Sequence, residues 1–196
     1  MTDLDARRYP IGPFQPRSGL TAEERESVVN DIAGFPVRFR AAVEGLSESQ
    51  LDTPYRDGGW TVRQVAHHVP DSHLQGYVRF KLAMTEDAPV IKTYEQAAWG
   101  DTEDSRSAPV DCSLDLLEGL HKRWAYLLRS LSEEDFARTY RHPEMGEVSL
   151  ETTLQLYAWH GKHHLAHVEL VAGLGGKADG GDGERSFLPP GGRHRK

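Results

Sequence analysis

Cysteine is nearly absent from this chain of 196 residues, which contains only Cys112. An internal disulfide and a zinc site built from several thiolates are therefore excluded, so nitrogen and oxygen must bind any metal. No hydrophobic run approaches the roughly 20 residues that span a bilayer, and the start, MTDLDARRYP, is too polar for a secretory signal. We expect a soluble, cytoplasmic protein that does not associate with membranes.

Basic residues are in the minority, since 23 Lys and Arg face 30 Asp and Glu and the net charge at pH 7 is −7. No basic block of the kind that neutralises phosphates occurs, so we do not expect a nucleic-acid partner. The length and the 38% hydrophobic content suit one domain with one core. Histidine, in contrast, is concentrated: seven of the ten histidines fall within residues 67–73 and 160–167.

Apolar residues at helical spacing predict an all-α fold with four long helices. The first begins after Thr21, and Pro36 predicts a kink or a split within it. The second carries the first histidine window. Ser113 is predicted to cap the third helix. The fourth is predicted to open at Ser149, to close at Gly173 and to carry the second histidine window.

The segments between and around these helices complete the predicted organisation. Residues 87–111 are polar and longer than most connections, which predicts the long crossover of a four-helix bundle. A short two-stranded element is also compatible with residues 138–148. Residues 1–20, with three prolines and two glycines, predict an extended arm ahead of a helical-bundle domain at 21–173. Residues 174–196, rich in glycine and charge, predict a disordered tail.

The fourth helix has the spacing that a metal site needs. Side chains four positions apart lie one above the other, so two imidazoles at i and i+4 can converge on one ion. Two such pairs occur, His160 with His164 and His163 with His167. By helical geometry the first pair lies about 80° from the centre of the apolar stripe and the second about 140° away. We therefore predict that the first pair binds metal and that the second faces solvent.

A third ligand must come from another helix, and the second helix offers three histidines. His73 falls within the apolar stripe and is predicted to be a hydrogen-bonded core residue. His67 and His68 flank the stripe on opposite sides, and helical geometry does not choose between them. Two known metal motifs do not fit: HExxH is replaced by HGKHH, and only Glu118 with His121 matches the ExxH of di-iron carboxylate bundles.

Several long stretches together resemble the DinB/YfiT-like family of small helical-bundle metalloproteins. These stretches are YPIG at Tyr9, LDTPYRDGGWTVRQVAHHVPDSH, YVRFKLAMTED, KRWAYLLRSL and YAWHGKHHLAH. The resemblance implies a four-helix bundle with a long crossover, one divalent metal per subunit and a homodimer. It also implies that the metal ligands are His68, His160 and His164, and so it selects His68 over His67.

At Pro70 the chain departs from this family, where a small residue is expected. Proline removes a backbone donor, which predicts a bend of the second helix beside His68. Such a bend would either tune the geometry of the metal site or be a neutral difference.

The resemblance further implies the chemistry. YfiT-like members are described as candidate metal-dependent hydrolases, and other relatives are thiol S-transferases that use a low-molecular-weight thiol such as bacillithiol. Since no glutamate is placed as the base of a zincin is, we expect thiol transfer to an electrophile, with zinc favoured over nickel or another transition metal. A hydrolase and a non-catalytic metal-binding stress protein are the alternatives. Asp71 is predicted to orient a ligand imidazole, and Arg79 to meet a cofactor carboxylate.

Overall fold

Helices dominate the computed structural model, which describes residues 3–175. In chain order its elements are α1 (Asp3–Arg8), α2 (Ala22–Glu44), α3 (Glu48–Leu51), α4 (Val62–Thr85), α5 (Gln96–Gly100), α6 (Glu103–Ser107), α7 (Val110–Arg129), α8 (Glu133–Ala137), β1 (Thr139–His142), β2 (Gly146–Ser149) and α9 (Leu150–Gly175). The four long helices α2, α4, α7 and α9 form the bundle, with α2 and α4 each packed against both α7 and α9. The all-α, four-helix prediction is confirmed.

Side-chain caps explain where two of the long helices begin. Thr21 accepts a hydrogen bond from the backbone N–H of Glu24 and forms a capping box ahead of α2, and Thr61 does the same with Gln64 ahead of α4. The predicted cap at Ser113 is wrong, because α7 already begins at Val110. The Ser113 hydroxyl is instead engaged by the Nδ1 atom of His67, 2.7 Å away.

The two prolines within long helices do not interrupt them. Helix α2 runs through Pro36 and α4 runs through Pro70, so the predicted split of the first helix is wrong. Each proline lacks the N–H that would bond to the carbonyl four residues earlier. At Pro36 that carbonyl belongs to Ile32, and it receives another donor, since Nδ1 of His121 lies 2.7 Å from it.

The long connection between α4 and α7 contains the short helices α5 and α6. Gly100 allows α5 to pack closely on the Trp60 indole, since a Cβ at this glycine would lie 3.0 Å from the ring. Strands β1 and β2 form an antiparallel hairpin in which Tyr140 pairs with Val148, in the region where the sequence allowed a two-stranded element. Both features border the bundle near the histidines of α4 and α9.

The core has two apolar clusters, and His73 contacts both. One cluster surrounds Trp124 and Phe80, and the other surrounds Phe35 and Phe39. The His73 ring stacks on Phe35 with ring centroids 5.6 Å apart and meets the Trp124 ring edge-on at 6.2 Å. His73 is fully buried and hydrogen-bonded, as predicted.

The segment ahead of α2 is not simply an extended arm, because it begins with helix α1. Beyond α1 it lies along α9: the backbone N–H of Arg17 donates to Gln155 Oε1 at 2.9 Å, and the Trp159 Nε1–H donates to the Gly12 carbonyl at 3.2 Å. The predicted tail lies almost wholly outside the described residues. Among the helices that are described, none is long and apolar enough to cross a membrane.

Candidate metal centre

Three histidines from two helices converge inside the bundle. His68 projects from α4 and His160 and His164 from α9, and one ring nitrogen of each lies within 4.8 Å of the others. The Nε2 atoms of His68 and His160 are 3.3 Å apart. Two nitrogens at zinc distance from one ion in a tetrahedral arrangement would be about 3.3–3.4 Å apart. The donor set and its spacing therefore fit a small divalent transition-metal ion.

Burial keeps these imidazoles neutral. His68 and His164 are buried, while His160 keeps a partly exposed edge. Desolvation lowers the pKa of His68 to about 4, and it lowers the pKa of His160 and His164 well below the ordinary value, with the neighbouring histidines adding to the effect. A neutral imidazole offers a free lone pair, so protons do not compete with a metal at neutral pH.

A chain of imidazoles extends behind His160. Its Nδ1 lies 3.1 Å from Nε2 of His73, and Nδ1 of His73 lies 2.8 Å from Nε2 of His121. The chain ends where Nδ1–H of His121 donates to the Ile32 carbonyl. Because that carbonyl can only accept, each ring in turn must carry its proton on Nδ1. The unprotonated Nε2 of His160 therefore faces the other two ligands.

A second, shorter chain lies behind His164. Its Nδ1 is 3.3 Å from Nδ1 of His167, whose Nε2 is 3.3 Å from the Arg8 carbonyl. The same reasoning places a proton on Nε2 of His167, where it is donated to Arg8, and another on Nδ1 of His164. Nε2 of His164 is then free for an ion. Both α9 histidines of the candidate centre are thus oriented by a neighbouring histidine and, at the end of each series, by a backbone carbonyl.

The predicted exposure of His163 and His167 is wrong. Their side chains are only 8% and 1% exposed, respectively. The Trp159 indole stacks on the His163 ring at 4.6 Å, the Tyr55 ring stacks on His167 at 3.9 Å, and Tyr9 contacts His163. The face of α9 that periodicity assigns to solvent is covered by the segment ahead of α2 and by the loop that precedes α4.

His67 does not belong to this group of three histidines, and both its ring nitrogens are engaged elsewhere. Nδ1 pairs with the Ser113 hydroxyl, and Nε2 donates to the Ala108 carbonyl at 3.1 Å. Helical phase alone left His67 and His68 equivalent. The structure brings His68 to the α9 pair and places His67 against the start of α7.

Asp71 does not have the position predicted for it. No hydrogen bond joins its carboxyl to a ligand histidine in the described part of the chain, and the partners of the ligands are His73 and His167. Burial, and to a smaller extent the charge of Asp104, raises the pKa of Asp71 to about 6.

The sequence offered one signal for the residues that orient the histidine centre. Pro36 stands four residues after Ile32 and so frees the Ile32 carbonyl, which accepts the hydrogen bond from His121.

Two cavities reach the histidine centre, one lined by all three histidines and the other by His160 alone. One, of about 370 Å³, lies under the segment ahead of α2 and is lined by Tyr9, Trp60 and all three histidines of the centre. The other, of about 490 Å³, lies between α4, the connection after it and the hairpin, and is lined by Arg79, Tyr94 and His160. Because His160 lines both cavities, the centre can be approached from two sides.

Comparison with known proteins identifies the family. Residues 34–168 match the model of the DinB superfamily. A protein of Bacillus cereus (strain 03BB102) named "Putative metal-dependent hydrolase" is 51% identical over 168 residues, which is 86% of this chain and 95% of the relative. "Putative metal-dependent hydrolase YfiT" of Bacillus subtilis (strain 168) is 47% identical over 161 residues, 82% of this chain and 90% of that protein.

Solved structures give the same result. The structure of YfiT from Bacillus subtilis, described as a probable metal-dependent hydrolase with an unusual four-helix bundle topology, matches with a TM-score of 0.84 at 45% identity. The match covers 87% of this chain and 98% of that one. TT2238, a four-helix bundle protein, matches with a TM-score of 0.52 at 18% identity over 74% of this chain and 98% of its own, and shares the fold alone.

Proposed function

The chain belongs to the DinB superfamily, and we propose that it is a metal-dependent enzyme centred on His68, His160 and His164. These three neutral imidazoles would hold a divalent ion and leave coordination positions open, where the ion would lower the pKa of a bound thiol or water. Zinc is the favoured ion because it accepts both imidazole and sulfur ligands, and nickel or another transition metal is an alternative. The imidazole chains behind His160 and His164 hold their lone pairs toward that ion.

The reaction that we propose is transfer of a low-molecular-weight thiol, of the bacillithiol type, to a small electrophile. The observation that carries this proposal is the meeting of two separate cavities at His160. Two approaches suit a reaction of two substrates, one entering from each cavity, whereas hydrolysis needs only one approach besides access for water. The thiol proton passes to solvent, the sulfur forms a bond to the electrophilic carbon, and the leaving group departs with the electron pair of the broken bond.

Hydrolysis is the second candidate, and the names of the relatives favour it. Exposed carboxylates of Glu95 and Glu144 line the larger cavity and can serve as the proton acceptor that a water nucleophile requires. In this reaction one water molecule adds to the carbonyl carbon of an ester or amide, and the alcohol or amine leaves with one of the water protons.

A panel of reactions distinguishes the candidates. Metal-loaded protein is incubated with an alkylating electrophile and bacillithiol, glutathione or cysteine, and conjugates are measured by mass spectrometry; parallel reactions contain esters and amides without thiol. We expect conjugates to form faster than in buffer. Turnover of an ester or amide with no thiol conjugate would establish the hydrolase instead. Absence of turnover in every reaction, with metal still bound, would indicate a metal-binding stress protein without catalysis.

The metal ligands themselves are tested by metal content. We expect the variants His160→Ala and His164→Ala to retain far less metal than the wild type after dialysis, as measured by elemental analysis. His142→Ala is the matched control, because His142 lies in the larger cavity but not among the ligands. Unchanged metal content in both ligand variants would show that the site is elsewhere.

A homodimer, which the family resemblance implies, stays part of the proposal and is tested by analytical ultracentrifugation.

A further inference from the structure

Arg79 is a buried cation without a counterion. Its side chain is 9% exposed, and its Nε atom is fully buried without a hydrogen-bond partner. No ion pair joins it to a carboxylate in the described part of the chain, although Arg63, the other buried arginine, pairs with both Glu48 and Asp52. The guanidinium carbon lies over the Tyr140 ring, 6.0 Å from its centroid.

A buried guanidinium without a counterion lowers the stability of the folded protein when no ligand is bound. A guanidinium cannot lose its proton in a protein, so it cannot escape burial by becoming neutral as a lysine does. Its dehydration is offset only when an anion or several acceptors contact it. Since the described residues supply neither, the N–H groups of Arg79 are left to water or to an anionic ligand that enters the cavity.

The surroundings of Arg79 show where that partner would lie. Arg79 lines the 490 Å³ cavity that also contains His160. The hydroxyl of Tyr94, on the same cavity, is likewise buried without a hydrogen-bond partner of good geometry, although the Ser72 side chain lies close enough to affect its pKa. Ser72, another lining residue, lies 3.5 Å from Nε2 of His160. Two unpartnered donors thus share one cavity with the metal centre.

Helix geometry gives the approximate length of the ligand. Ser72, beside the centre, and Arg79 are separated by two turns of α4, which is about 10 Å along the axis. Side chains in a helix lean toward its N-terminus, so the guanidinium reaches back toward Ser72. A molecule of several bonds, no longer than about 10 Å, would connect the two.

We propose that Arg79 and Tyr94 form an oxyanion-binding subsite for a carboxylate or phosphate group of the small molecule whose reactive end lies at the histidine centre. The guanidinium offers parallel N–H donors to two oxygens of one anionic group, and the Tyr94 hydroxyl donates a third hydrogen bond. The placement of the molecule's reactive end at the histidine centre rests on the proposed function, whereas the binding of its anionic group by Arg79 and Tyr94 does not. It assigns the substrate or the thiol to the class of small acids.

A matched pair of thiols tests the proposal on the metal-loaded protein. Cobalt-substituted protein is titrated with mercaptohexanoate and with mercaptohexanol, which differ only in the carboxylate, and the sulfur-to-cobalt absorption band gives each affinity. We expect the carboxylate to strengthen binding roughly ten- to a hundredfold, as hydrogen bonds to a charged group would. The preference should disappear in Arg79→Met and weaken in Tyr94→Phe. Arg123→Met, on the exposed face of α7, is the control and should keep it.

A second measurement does not depend on the metal. The Nε–H resonance of Arg79 in metal-free protein, identified by its absence from Arg79→Met, is followed while hexanoate or inorganic phosphate is added. A saturable shift with one of them supports the subsite and identifies the preferred anion. Equal affinity for both thiols together with an unmoved resonance would overturn the subsite while leaving the proposed function intact. A shifted resonance without a sulfur-to-cobalt band for either thiol would support the subsite and contradict thiol binding by the centre.

Stability separates this role from a structural one. If Arg79 serves a ligand, its replacement by the apolar Arg79→Met removes an uncompensated buried charge, so the ligand-free protein should melt at a higher temperature than the wild type. A lower melting temperature would mean that Arg79 supports the fold, and would count against the subsite.

Discussion

At the scale of single residues, the histidines differ in role because their partners differ. His67 has both nitrogens engaged by Ser113 and Ala108, whereas Nε2 of His68 faces Nε2 of His160. Their positions on an ideal helix gave no reason to prefer one over the other. What separates them is the element opposite each one, α7 for His67 and α9 for His68. Sequence periodicity describes one helix at a time and does not contain that information.

The imidazole chain behind His160 predicts an effect of a distant substitution on metal binding. His121→Phe keeps an aromatic side chain but removes both nitrogens, so His73 loses its acceptor and the Ile32 carbonyl loses its donor. We expect the affinity for zinc to fall about 10–100-fold, the usual cost of removing a partner of a metal ligand. Competition with a chromophoric chelator measures it.

The control for this prediction is His142→Gln. It alters a histidine that does not belong to the series His160, His73 and His121, so it should keep the wild-type affinity for zinc. If His121→Phe folds normally and binds zinc as tightly as the control, the hydrogen bonds through His73 and His121 do not orient His160.

At the scale of elements, close packing of α4 against its neighbours depends on Gly76. A Cβ at this position would lie 2.5 Å from the Tyr157 ring and 2.8 Å from Trp124. We expect Gly76→Ala to lower the unfolding free energy by about 1–3 kcal/mol, the usual cost of overpacking. Gly119→Ala, on α7 with nothing near its Cβ, should instead raise it by up to about 1 kcal/mol. Urea denaturation compares the two, and equal shifts would refute the close approach.

The segment ahead of α2 contacts the histidines that flank the candidate metal centre. It supplies the Arg8 carbonyl to His167 and the Tyr9 ring to His163. A variant that lacks residues 1–16 should keep the helical circular dichroism of the bundle but bind zinc about tenfold or more weakly. Chelator competition on the truncated and full chains measures the difference. Equal affinity would show that His167 orients His164 without help from Arg8.

The element boundaries show which features of the fold were accessible from sequence. The start of α2 was predictable, because the cap at Thr21 and the acidic residue at Glu24 lie next to each other in the chain. The start of α7 was not, because Ser113 has the residue type of a cap but its hydroxyl contacts His67. The burial of His163 was also not predictable, since Tyr9 covers it from more than 150 positions away.

At the scale of the whole molecule, the buried imidazoles make the metal-free protein sensitive to acid. Burial lowers the pKa of His68, His121 and His163 to about 4, compared with about 6.5 in an unfolded chain. Below about pH 6.5 the unfolded chain therefore binds more protons than the folded one, and the unfolding free energy falls until the pH reaches about 4. Each such histidine contributes up to about 1.4 kcal/mol per pH unit.

Asp71 acts in the opposite direction, because its raised pKa makes the folded chain bind a proton more readily in the same range. One carboxyl is outweighed by several histidines. We expect the urea midpoint of metal-free protein to decrease steadily from about pH 7 to about pH 5, as followed by tryptophan fluorescence. A midpoint that stays constant or increases would mean that these histidines are protonated in the folded state.

The pairing of His160 with His164 was predictable because their spacing belongs to one helix, and the whole-chain resemblance supplied His68. The partners His73, His121 and His167 and the two cavities depend on how four helices and the leading segment assemble. Those relations are long-range, and no local pattern encodes them.

The position of the leading segment also has a practical consequence for anyone who purifies this protein. A polyhistidine tag joined ahead of α1 would carry six or so free imidazoles close to Arg8 and Tyr9, beside the cavity that opens onto His68 and His164. Such a tag would compete for the ion and would also carry ions of its own. Metal stoichiometry is therefore best determined after the tag has been cleaved.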